Sequence, residues 1–543
     1  MSDPLRGLLE EIALTFGEPI EFTLERPRDP SHGDLSTNLA MQLAKRDRSN
    51  PRAMATDLVA RLGAHAGFPP GMVVEIAGPG FVNFRLPATT LTGQFQRILS
   101  EGASYGRSEF GAGQKVNVEF VSANPTGPLH VGHGRGAALG DGIAALLEWT
   151  GHTVTREFYV NDAGVQITRL AESLWARVQQ TVGRNAEIPE GGYHGDYLKE
   201  SAAELLQRDG RAFADLDATV GIARCRDAVL VMQRAEQDQT LARFGVRFDV
   251  VSSEQRSYER GEVTAAITRL GEAGLTFEEG GALWLRTSSF GDDRDRVLRK
   301  SDGSFTYLAP DIAYHLDKFG RGFDHAIDVW GADHHGYIPR MQAALTALGL
   351  PAGWLDVALV QLVRVVRAGE EVKMSKRSGD FVTLRDLYEE TGVDAARYWF
   401  LMRRGDSHLV FDIELAKSRS DENPVYYVQM AHARLCGIDR NATAAGIVMQ
   451  VSVDELSAAD LLLLKELTAF PDVLARAARE HEPHRVTTYL DELARLVHAW
   501  YHESRVVGEA PGVAGARLQL ARSARQVFAN ALTLLGISAP DRM

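Results

Sequence analysis

Two short segments carry residue types that can handle phosphate groups. The first, residues 122–133, reads Ser-Ala-Asn-Pro-Thr-Gly-Pro-Leu-His-Val-Gly-His and places His130 and His133 around Gly132. The second, much further along the chain, reads Lys373-Met374-Ser375-Lys376. Imidazole and ammonium groups donate hydrogen bonds to phosphate oxygens, and a glycine lets a base or ribose approach the backbone closely. Together the two segments predict a nucleotide site assembled from both ends of one domain.

The first segment lies between a predicted strand and a predicted helix. Residues 116–120 alternate apolar and polar side chains, which predicts a strand. Residues 134–147 carry alanine, leucine and isoleucine at helical spacing. The His-Val-Gly-His turn therefore opens a helix, where unpaired backbone N–H groups and the helix dipole favour a phosphate.

The predicted strand and helix belong to a longer α/β pattern. Residues 106–395 alternate strand-like and helical runs, and the clearest strands are Val154–Val160, Ala326–Trp330 and Val357–Val366. This alternation predicts a Rossmann-like domain, a parallel sheet with helices on both faces. Residues 165–290 interrupt the pattern, so we expect an insertion there.

Smaller parts flank this domain. Residues 1–88 mix helical periodicity with a strand-like segment and end at Gly78-Pro79-Gly80 and Pro87, which predicts a small N-terminal α/β domain. In residues 396–543 strand signals vanish and helical patterns dominate, so we expect an all-helical C-terminal domain. Its clearest predicted helices are Ala458–Ala478, Val486–Trp500 and Leu518–Leu535.

Composition excludes several classes of protein. The chain has 543 residues, 45% of them hydrophobic, and a net charge of −13. Its two cysteines, Cys225 and Cys436, exclude a disulfide scaffold and a four-thiolate zinc site and suit a reducing cytoplasm. We expect no export signal and no membrane span, since no basic-then-apolar leader or long apolar run occurs. The acidic balance argues against indiscriminate polyanion binding but leaves selective RNA binding open.

Longer stretches resemble one family. Residues 123–133 and 373–379 are similar to the two signature motifs of class I aminoacyl-tRNA synthetases, known as HIGH and KMSKS. The chain as a whole resembles the bacterial type of arginyl-tRNA synthetase, in stretches spread over its length: residues 157–164, 307–315, 423–429 and 539–543. This resemblance implies an arginine–tRNA ligase that forms arginyl-adenylate from arginine and ATP. It would then transfer the arginyl group to the terminal ribose of tRNA(Arg), releasing AMP and diphosphate.

The resemblance also assigns the nucleotide chemistry. It implies His130, His133, Lys373 and Lys376 as catalytic residues, and His130, Gly132, His133 and Lys376 as the ATP site. Mg²⁺ would accompany the nucleotide, held mainly by phosphates and water, and no zinc is expected. Phosphoryl displacement needs positioning and charge neutralisation more than covalent help, which fits these donors.

Arginine as a substrate makes a separate demand. A guanidinium group is a planar fork matched by carboxylates, and Tyr307 and Asp311 would share one face if their segment is helical. The resemblance assigns Tyr307, Asp311 and Glu254 to the guanidinium. It assigns Ser122, Asn124 and His334 to the α-amino group.

Contacts with tRNA follow only from the resemblance. It places Phe81 and Asn83 at the outer corner of the tRNA, where the ring would stack on an unpaired base and the amide would bind its edge. It places Tyr501 and Met543 at the anticodon loop. The expected partners are tRNA(Arg), L-arginine and ATP, and we expect a cytoplasmic monomer without membrane contact.

Each assignment has a simpler alternative. Asp311 follows Pro310 and fits an ordinary helix start, and Phe81 and Tyr501 fit core packing. His334 and His335 lack a third metal ligand at sensible spacing. The whole chain could instead be a nucleotidylyltransferase using His-x-Gly-His alone, or a non-catalytic RNA-binding relative of a synthetase. The first leaves the helical tail and Lys373–Lys376 unexplained, and the second should have lost signature residues.

Overall fold

The computed structural model of the protein describes residues 2–27, 29–162, 164–372 and 382–543. Its N-terminal part folds around its own apolar core, which includes Leu9, Leu39, Leu58 and Phe84. Four strands pair antiparallel in the order β1-β2-β4-β3 and pack with three helices. The elements are α1 (Ser2–Leu14), β1 (Leu24–Glu25), β2 (Leu35–Thr37), α2 (Leu39–Arg46), α3 (Pro51–Ala64), β3 (Val73–Ala77) and β4 (Phe81–Arg85).

A five-stranded parallel sheet forms the centre of the molecule. Its strand order is β12-β11-β5-β6-β7, a doubly wound α/β arrangement of the predicted class. The elements of this region are α4 (Ala88–Glu101), β5 (Lys115–Glu119), α5 (Val131–Trp149), β6 (Thr153–Val160), α6 (Val165–Thr181), α7 (Tyr197–Asp209), α8 (Ala218–Arg243), β7 (Val250–Ser253), α9 (Glu254–Glu259), α10 (Glu262–Glu272), β8 (Thr276–Glu279), β9 (Ala282–Leu285), β10 (Arg296–Arg299), α11 (Leu308–Gly320), β11 (His325–Gly331), α12 (Ile338–Ala347), β12 (Leu355–Val360), β13 (Val363–Arg367), β14 (Glu370–Glu371), α13 (Leu384–Thr391), α14 (Val393–Leu401) and β15 (Leu409–Asp412).

Small residues bring α5 close to the sheet. Strand β5 buries Val116 and Val118, and the Phe120 ring after it lies against Gly140 of α5. A Cβ atom on Gly140 would lie 2.2 Å from Phe120 Cγ, so only glycine allows this approach. The helix that begins after His130 is thereby held across the sheet, and its N-terminus is fixed at the carboxyl end of β5.

The interruption of the sheet is not one continuous insertion. Helices α6, α7 and α8 pack around a core of their own, which includes Leu174, Leu198 and Phe213. The chain then returns to the central sheet as β7, which pairs with β6, before a separate three-stranded sheet forms from β8, β9 and β10. Strand β7 has only four residues, which are too few for an alternating pattern to predict the strand from the sequence.

Two other predictions of single elements were wrong. The predicted strand Val357–Val366 is two strands, since β12 belongs to the central sheet and β13 pairs with β14 and β15 in another. That pairing also places strand β15 beyond residue 396, where no strand was expected. The predicted helix Ala458–Ala478 is two helices that break between Leu467 and Phe470, just before Pro471.

The C-terminal part is helical from Ile413 onward and shares its core with the central domain. Phe120 and Ile143 of the central domain belong to the same buried cluster as Leu493 and Phe528 of the tail. Among the described residues, no helix is both long and apolar enough for a membrane span. The tail elements are α15 (Ile413–Lys417), α16 (Pro424–Ala444), α17 (Ala458–Leu467), α18 (Phe470–Arg479), α19 (His484–Glu503) and α20 (Pro511–Leu534).

Candidate active site

The two histidines of the first motif cap helix α5. His130 is the N-cap residue, and its Nδ1 accepts the backbone N–H of Gly132 at 3.1 Å. In return, His133 Nδ1 accepts the backbone N–H of His130 at 3.3 Å. The rings stack with centroids 3.7 Å apart. This reciprocal capping fixes both rings at the positive end of the helix dipole.

The caps also determine the tautomer of both rings. A neutral imidazole whose Nδ1 accepts a hydrogen bond carries its proton on Nε2. His130 and His133 are therefore Nε2–H donors when neutral, which is the form that a phosphate oxygen requires. The space around Gly132, between the two histidines, is tight, because an added Cβ would lie 3.0 Å from the His130 ring.

The residues that follow the second motif contact the first motif. Lys373 and Lys376 lie outside the described residues. Thr383 forms a β-bridge with His130, and the Leu384 N–H donates to Leu129 O at 2.8 Å. Thr383 also caps α13 through the backbone N–H of Asp386. The chain after Lys373–Phe381 is thus held directly beside the histidine turn.

The corner after β5 holds Ser122 and Asn124. Val121 and Ser122 adopt φ of 67° and 40°, left-handed values that are costly for residues with a side chain. Ser122 Oγ donates to Glu119 Oε1 at 2.8 Å and accepts the Tyr159 N–H at 3.1 Å, which holds this corner against β6. Asn124 Nδ2 donates to Gln166 Oε1 at 2.9 Å. Both predicted residues lie at the carboxyl end of the sheet.

Two acids come together at the same end of the sheet. Glu254 is buried at the start of α9, directly after β7, and Asp311 is half-buried in the first turn of α11. Burial, together with the charge of Asp311, raises the pKa of Glu254 to about 7. Burial also raises the pKa of Asp311, although the Tyr337 phenol donates to its Oδ2 at 2.6 Å. A cation bound next to these two acids would favour the ionised form of both.

Tyr307 and His334 are more exposed than the two acids. Tyr307 is the N-cap residue of α11 and is 77% exposed, while its carbonyl accepts the Asp311 N–H at 3.3 Å. The exposed His334 lies 3.6 Å from Asp333, and its charge acts on Asp311. The tyrosine that binds Asp311 here is Tyr337, which the sequence did not single out. Its place two residues after the His334-His335 pair was the available signal.

The predicted tRNA residues lie on the outer parts of the molecule. Phe81 is 37% exposed, Tyr501 42% and Met543 50%, so core packing does not account for them. The Arg434 guanidinium lies 5.2 Å from the centroid of the Tyr501 ring. Asn83 differs, because it is buried and its Oδ1 accepts the Ser36 hydroxyl at 2.7 Å. A base contact by Asn83 therefore stays a prediction. In the structure, the Asn83 side chain joins β4 to β2.

Among the described residues, two groups of possible metal ligands lie outside this candidate site. His325, Asp356 and His481 meet at the amino ends of β11 and β12, and His325 Nε2 is 3.1 Å from Asp356 Oδ2. His432 and Cys436 meet Asp541 near the C-terminus, where Asp541 accepts from the thiol at 3.4 Å. Neither group includes a residue of the histidine turn or of the acid pair.

The fold and site together define a class I aminoacyl-tRNA synthetase. Residues 94–409 match the family "tRNA synthetases class I (R), catalytic domain". Residues 3–86 match "Arginyl tRNA synthetase N terminal domain", and residues 428–543 match "DALR anticodon binding domain".

Individual relatives are similar to this chain over nearly its whole length. The arginine–tRNA ligase of Syntrophotalea carbinolica is 48% identical, covering 100% of this chain and 99% of the relative. That of Desulforudis audaxviator is 49% identical, covering 99% and 97%. The structure of Thermus thermophilus arginyl-tRNA synthetase superimposes with a TM-score of 0.78 at 26% identity, covering 99% of this chain and 100% of that one. The chain belongs to the arginyl-tRNA synthetase family.

Proposed function

We propose that this chain joins L-arginine to tRNA(Arg) at the carboxyl end of its central sheet, as an ATP-dependent arginine–tRNA ligase. The observation that carries the residue-level proposal is the placement of Glu254 and Asp311 at the starts of helices α9 and α11, which pack against each other. Carboxyl ends of neighbouring parallel strands are the usual ligand site of such sheets. Two acids at this edge suit a guanidinium, which forms bidentate bonds with carboxylates.

Arginine would lie between the acids and the corner after β5. Glu254 and Asp311 take the guanidinium, with the Tyr307 ring beside it, while Ser122, Asn124 and His334 orient the α-amino group. The Tyr159 main chain supports this arrangement, because its N–H holds Ser122 Oγ and its strand leads toward the acids. The carboxylate of arginine is then directed toward the histidine turn.

ATP would bind at the N-terminus of α5, with Gly132 allowing the nucleotide close to the backbone. An oxygen of the arginine carboxylate attacks the α-phosphorus, the bond to the bridging oxygen breaks, and diphosphate leaves. His130 and His133 donate through Nε2–H to the phosphate oxygens as charge develops there, and Lys373 and Lys376 add positive charge. Mg²⁺, when bound with the nucleotide, would neutralise phosphate charge.

The second step transfers the arginyl group. A hydroxyl of the terminal tRNA ribose attacks the carbonyl carbon of arginyl-adenylate, and AMP leaves. Phe81 and Asn83 would meet the outer corner of the tRNA, and Tyr501 and Met543 the anticodon loop. We further propose that residues 1–88, 106–395 and 396–543 act as tRNA-contacting, catalytic and anticodon-binding domains of a cytoplasmic monomer.

ATP–diphosphate exchange tests this function. We expect exchange that depends on arginine and on a tRNA(Arg) transcript, because arginyl-tRNA synthetases usually complete their site with the RNA. Citrulline is the matched control substrate, since it keeps the shape of arginine without its charge, and it should not support exchange. Absence of exchange with arginine and cognate tRNA would contradict the function. Exchange without tRNA would contradict only the requirement for RNA.

A further inference from the structure

A chain of buried charged groups connects the two ends of the proposed arginine site. Lys318 of α11 is fully buried and donates to Glu119 and, at 2.8 Å, to Asp328 Oδ1 of β11. His315 Nε2 lies 2.8 Å from the other oxygen of Asp328. His315 Nδ1 lies 2.7 Å from the backbone oxygen of Asp311. Glu119 in turn holds Ser122, so the chain begins at one predicted arginine contact and ends at another.

The hydrogen bonds of His315 fix its charge. Each ring nitrogen faces an oxygen that can only accept, so the ring donates from both nitrogens and is an imidazolium. The Asp328 carboxylate raises the pKa of His315 despite burial, which by itself lowers it. The buried chain is then neutral overall, with the cations Lys318 and His315 against the anions Glu119 and Asp328. A balanced set of this kind can remain ionised away from water.

We propose that His315 is a positioning residue for arginine recognition, which fixes the place of the Asp311 carboxylate and keeps it negatively charged. This inference rests on the proposed role of Asp311 in the arginine site. His315 lies one helical turn after Asp311. Its ring donates a hydrogen bond to the backbone oxygen of Asp311, and its positive charge acts on the Asp311 side chain. A neutral residue at position 315 would remove one of the groups that favour the ionised form of Asp311, an acid whose pKa burial already raises.

The contacts assign His315 a different task from Lys318. Lys318 bridges the carboxylates of Glu119 and Asp328, whereas His315 joins Asp328 to the main chain of Asp311. His315 therefore adds a side-chain hydrogen bond to the backbone oxygen of Asp311, beyond the backbone hydrogen bonds of the helix. The functional consequence should therefore fall on arginine rather than on ATP or tRNA.

The first test compares His315→Gln with Arg321→Gln. Arg321 is the C-cap residue of the same helix and binds the buried carboxylate of Glu157 at 2.9 Å, so its loss costs an ion pair away from Asp311. His315→Gln should raise the KM for arginine by about 10- to 100-fold, the usual effect of losing a charged hydrogen bond. The KM values for ATP and tRNA should stay within about twofold. Arg321→Gln should leave all three unchanged.

The second test uses pH and remains informative if His315→Gln folds poorly. The charged groups that face His315 are Asp328, Lys318 and Asp311, with Glu119 behind Lys318. Asp328→Asn removes the carboxylate that holds the second proton on the ring. Because Glu254 changes the arginine KM of both enzymes with pH, the two are compared at each pH. Below about pH 6 the arginine KM of the variant should be close to that of wild type, and the ratio of the two should rise with pH as His315 becomes neutral in the variant.

Three outcomes would overturn the proposal. They are an unchanged arginine KM in folded His315→Gln enzyme, equal increases in the KM for arginine and ATP, and an arginine KM of Asp328→Asn that does not rise with pH relative to that of wild type. Failure of the proposed function itself is distinguishable, because the wild-type enzyme would then show no arginine-dependent exchange at any pH.

Discussion

At the scale of single residues, Asp311 is where charge and shape can be separated. Its carboxylate accepts a hydrogen bond from Tyr337 at 2.6 Å, and Asn at this position would keep that acceptor. If Asp311 faces the guanidinium, Asp311→Asn removes only the charge. Loss of such a pair costs about 2–5 kcal/mol, or roughly 30- to several-thousand-fold in kcat/KM for arginine. ATP and tRNA binding should stay near wild type.

The rival role of Asp311, at an ordinary helix start, predicts something else. Tyr307 is the N-cap of α11, so in this role Asp311 acts only as an acid in the first turn, and Asp311→Asn would cost about 0.3–1 kcal/mol of stability and leave the arginine KM unchanged. Thermal unfolding measured beside arginine kinetics decides between the two. An Asp311→Asn enzyme with an unchanged KM for arginine would remove this residue from the pocket.

Glu254 makes arginine binding depend on pH. Its pKa of about 7 means that much of the free enzyme carries a proton there near neutral pH. A guanidinium needs the ionised acid, so arginine must displace that proton. The arginine KM should therefore fall as pH rises from about 6 to 8 and level off above, at up to about tenfold per pH unit. Glu254→Gln should raise the KM at high pH and flatten the profile. A flat profile in the wild-type enzyme would contradict this role.

At the scale of elements, His130 serves both as a helix cap and as a donor to phosphate. Asn places an oxygen near the position of Nδ1 and is a preferred N-cap, but it lacks the Nε2–H group. His130→Asn should therefore melt close to wild type while its exchange kcat falls by about 10²–10³. His130→Gln offers the reverse combination, a longer amide near the Nε2 position without the cap. It should lose about 1 kcal/mol of stability and less activity than the Asn variant.

These two variants separate the capping role from the catalytic role. Thermal unfolding reports the cap, and ATP–diphosphate exchange reports the donor. If the Asn variant keeps full exchange activity, His130 acts only as a cap, and the proposed phosphate contact is wrong.

At the scale of the whole molecule, one ion pair ties the N-terminal part to the helical tail. Lys465 Nζ of α17 lies 2.6 Å from Asp34 Oδ1, whose other oxygen accepts the Leu86 N–H. Arg26 donates to the main chain of Lys465 and, at 3.1 Å, to Thr468 Oγ1. The predicted tRNA contacts lie on both sides of this junction, so its rigidity should matter for binding a large RNA.

Lys465→Ala should weaken this junction and leave the nearly buried Asp34 carboxylate without its cation. We expect the tRNA KM to rise by about 3- to 10-fold, while the KM values for arginine and ATP stay unchanged. Lys199→Ala is a matched control, because it breaks an exposed lysine–aspartate pair on α7. Equal tRNA kinetics in both variants would show that the junction does not orient the RNA-binding parts.

Local sequence determined much of the site and the class of fold. Strand β5, the turn at His130 and helix α5 follow from alternation and helical periodicity over neighbouring residues, and β6 and β11 lie close to their predicted bounds. Residue types that suit phosphate and guanidinium could be recognised for the same reason. These features depend on near neighbours in the chain, so a single sequence displays them.

Only the tertiary structure decided which distant segments meet. The return of Val250–Ser253 to the sheet places Glu254 on a helix that packs against the helix of Asp311, and the bridge from Thr383 to His130 holds the residues after the second motif beside the first. Tyr337, His315 and Lys318 acquire their roles only through partners on other elements. Such pairings are stabilised by burial and by long-range hydrogen bonds, which leave no periodic trace in the chain. The sequence therefore shows which residue types could bind phosphate or a guanidinium. The pKa of Glu254 and the charge of His315, by contrast, are properties of the folded molecule.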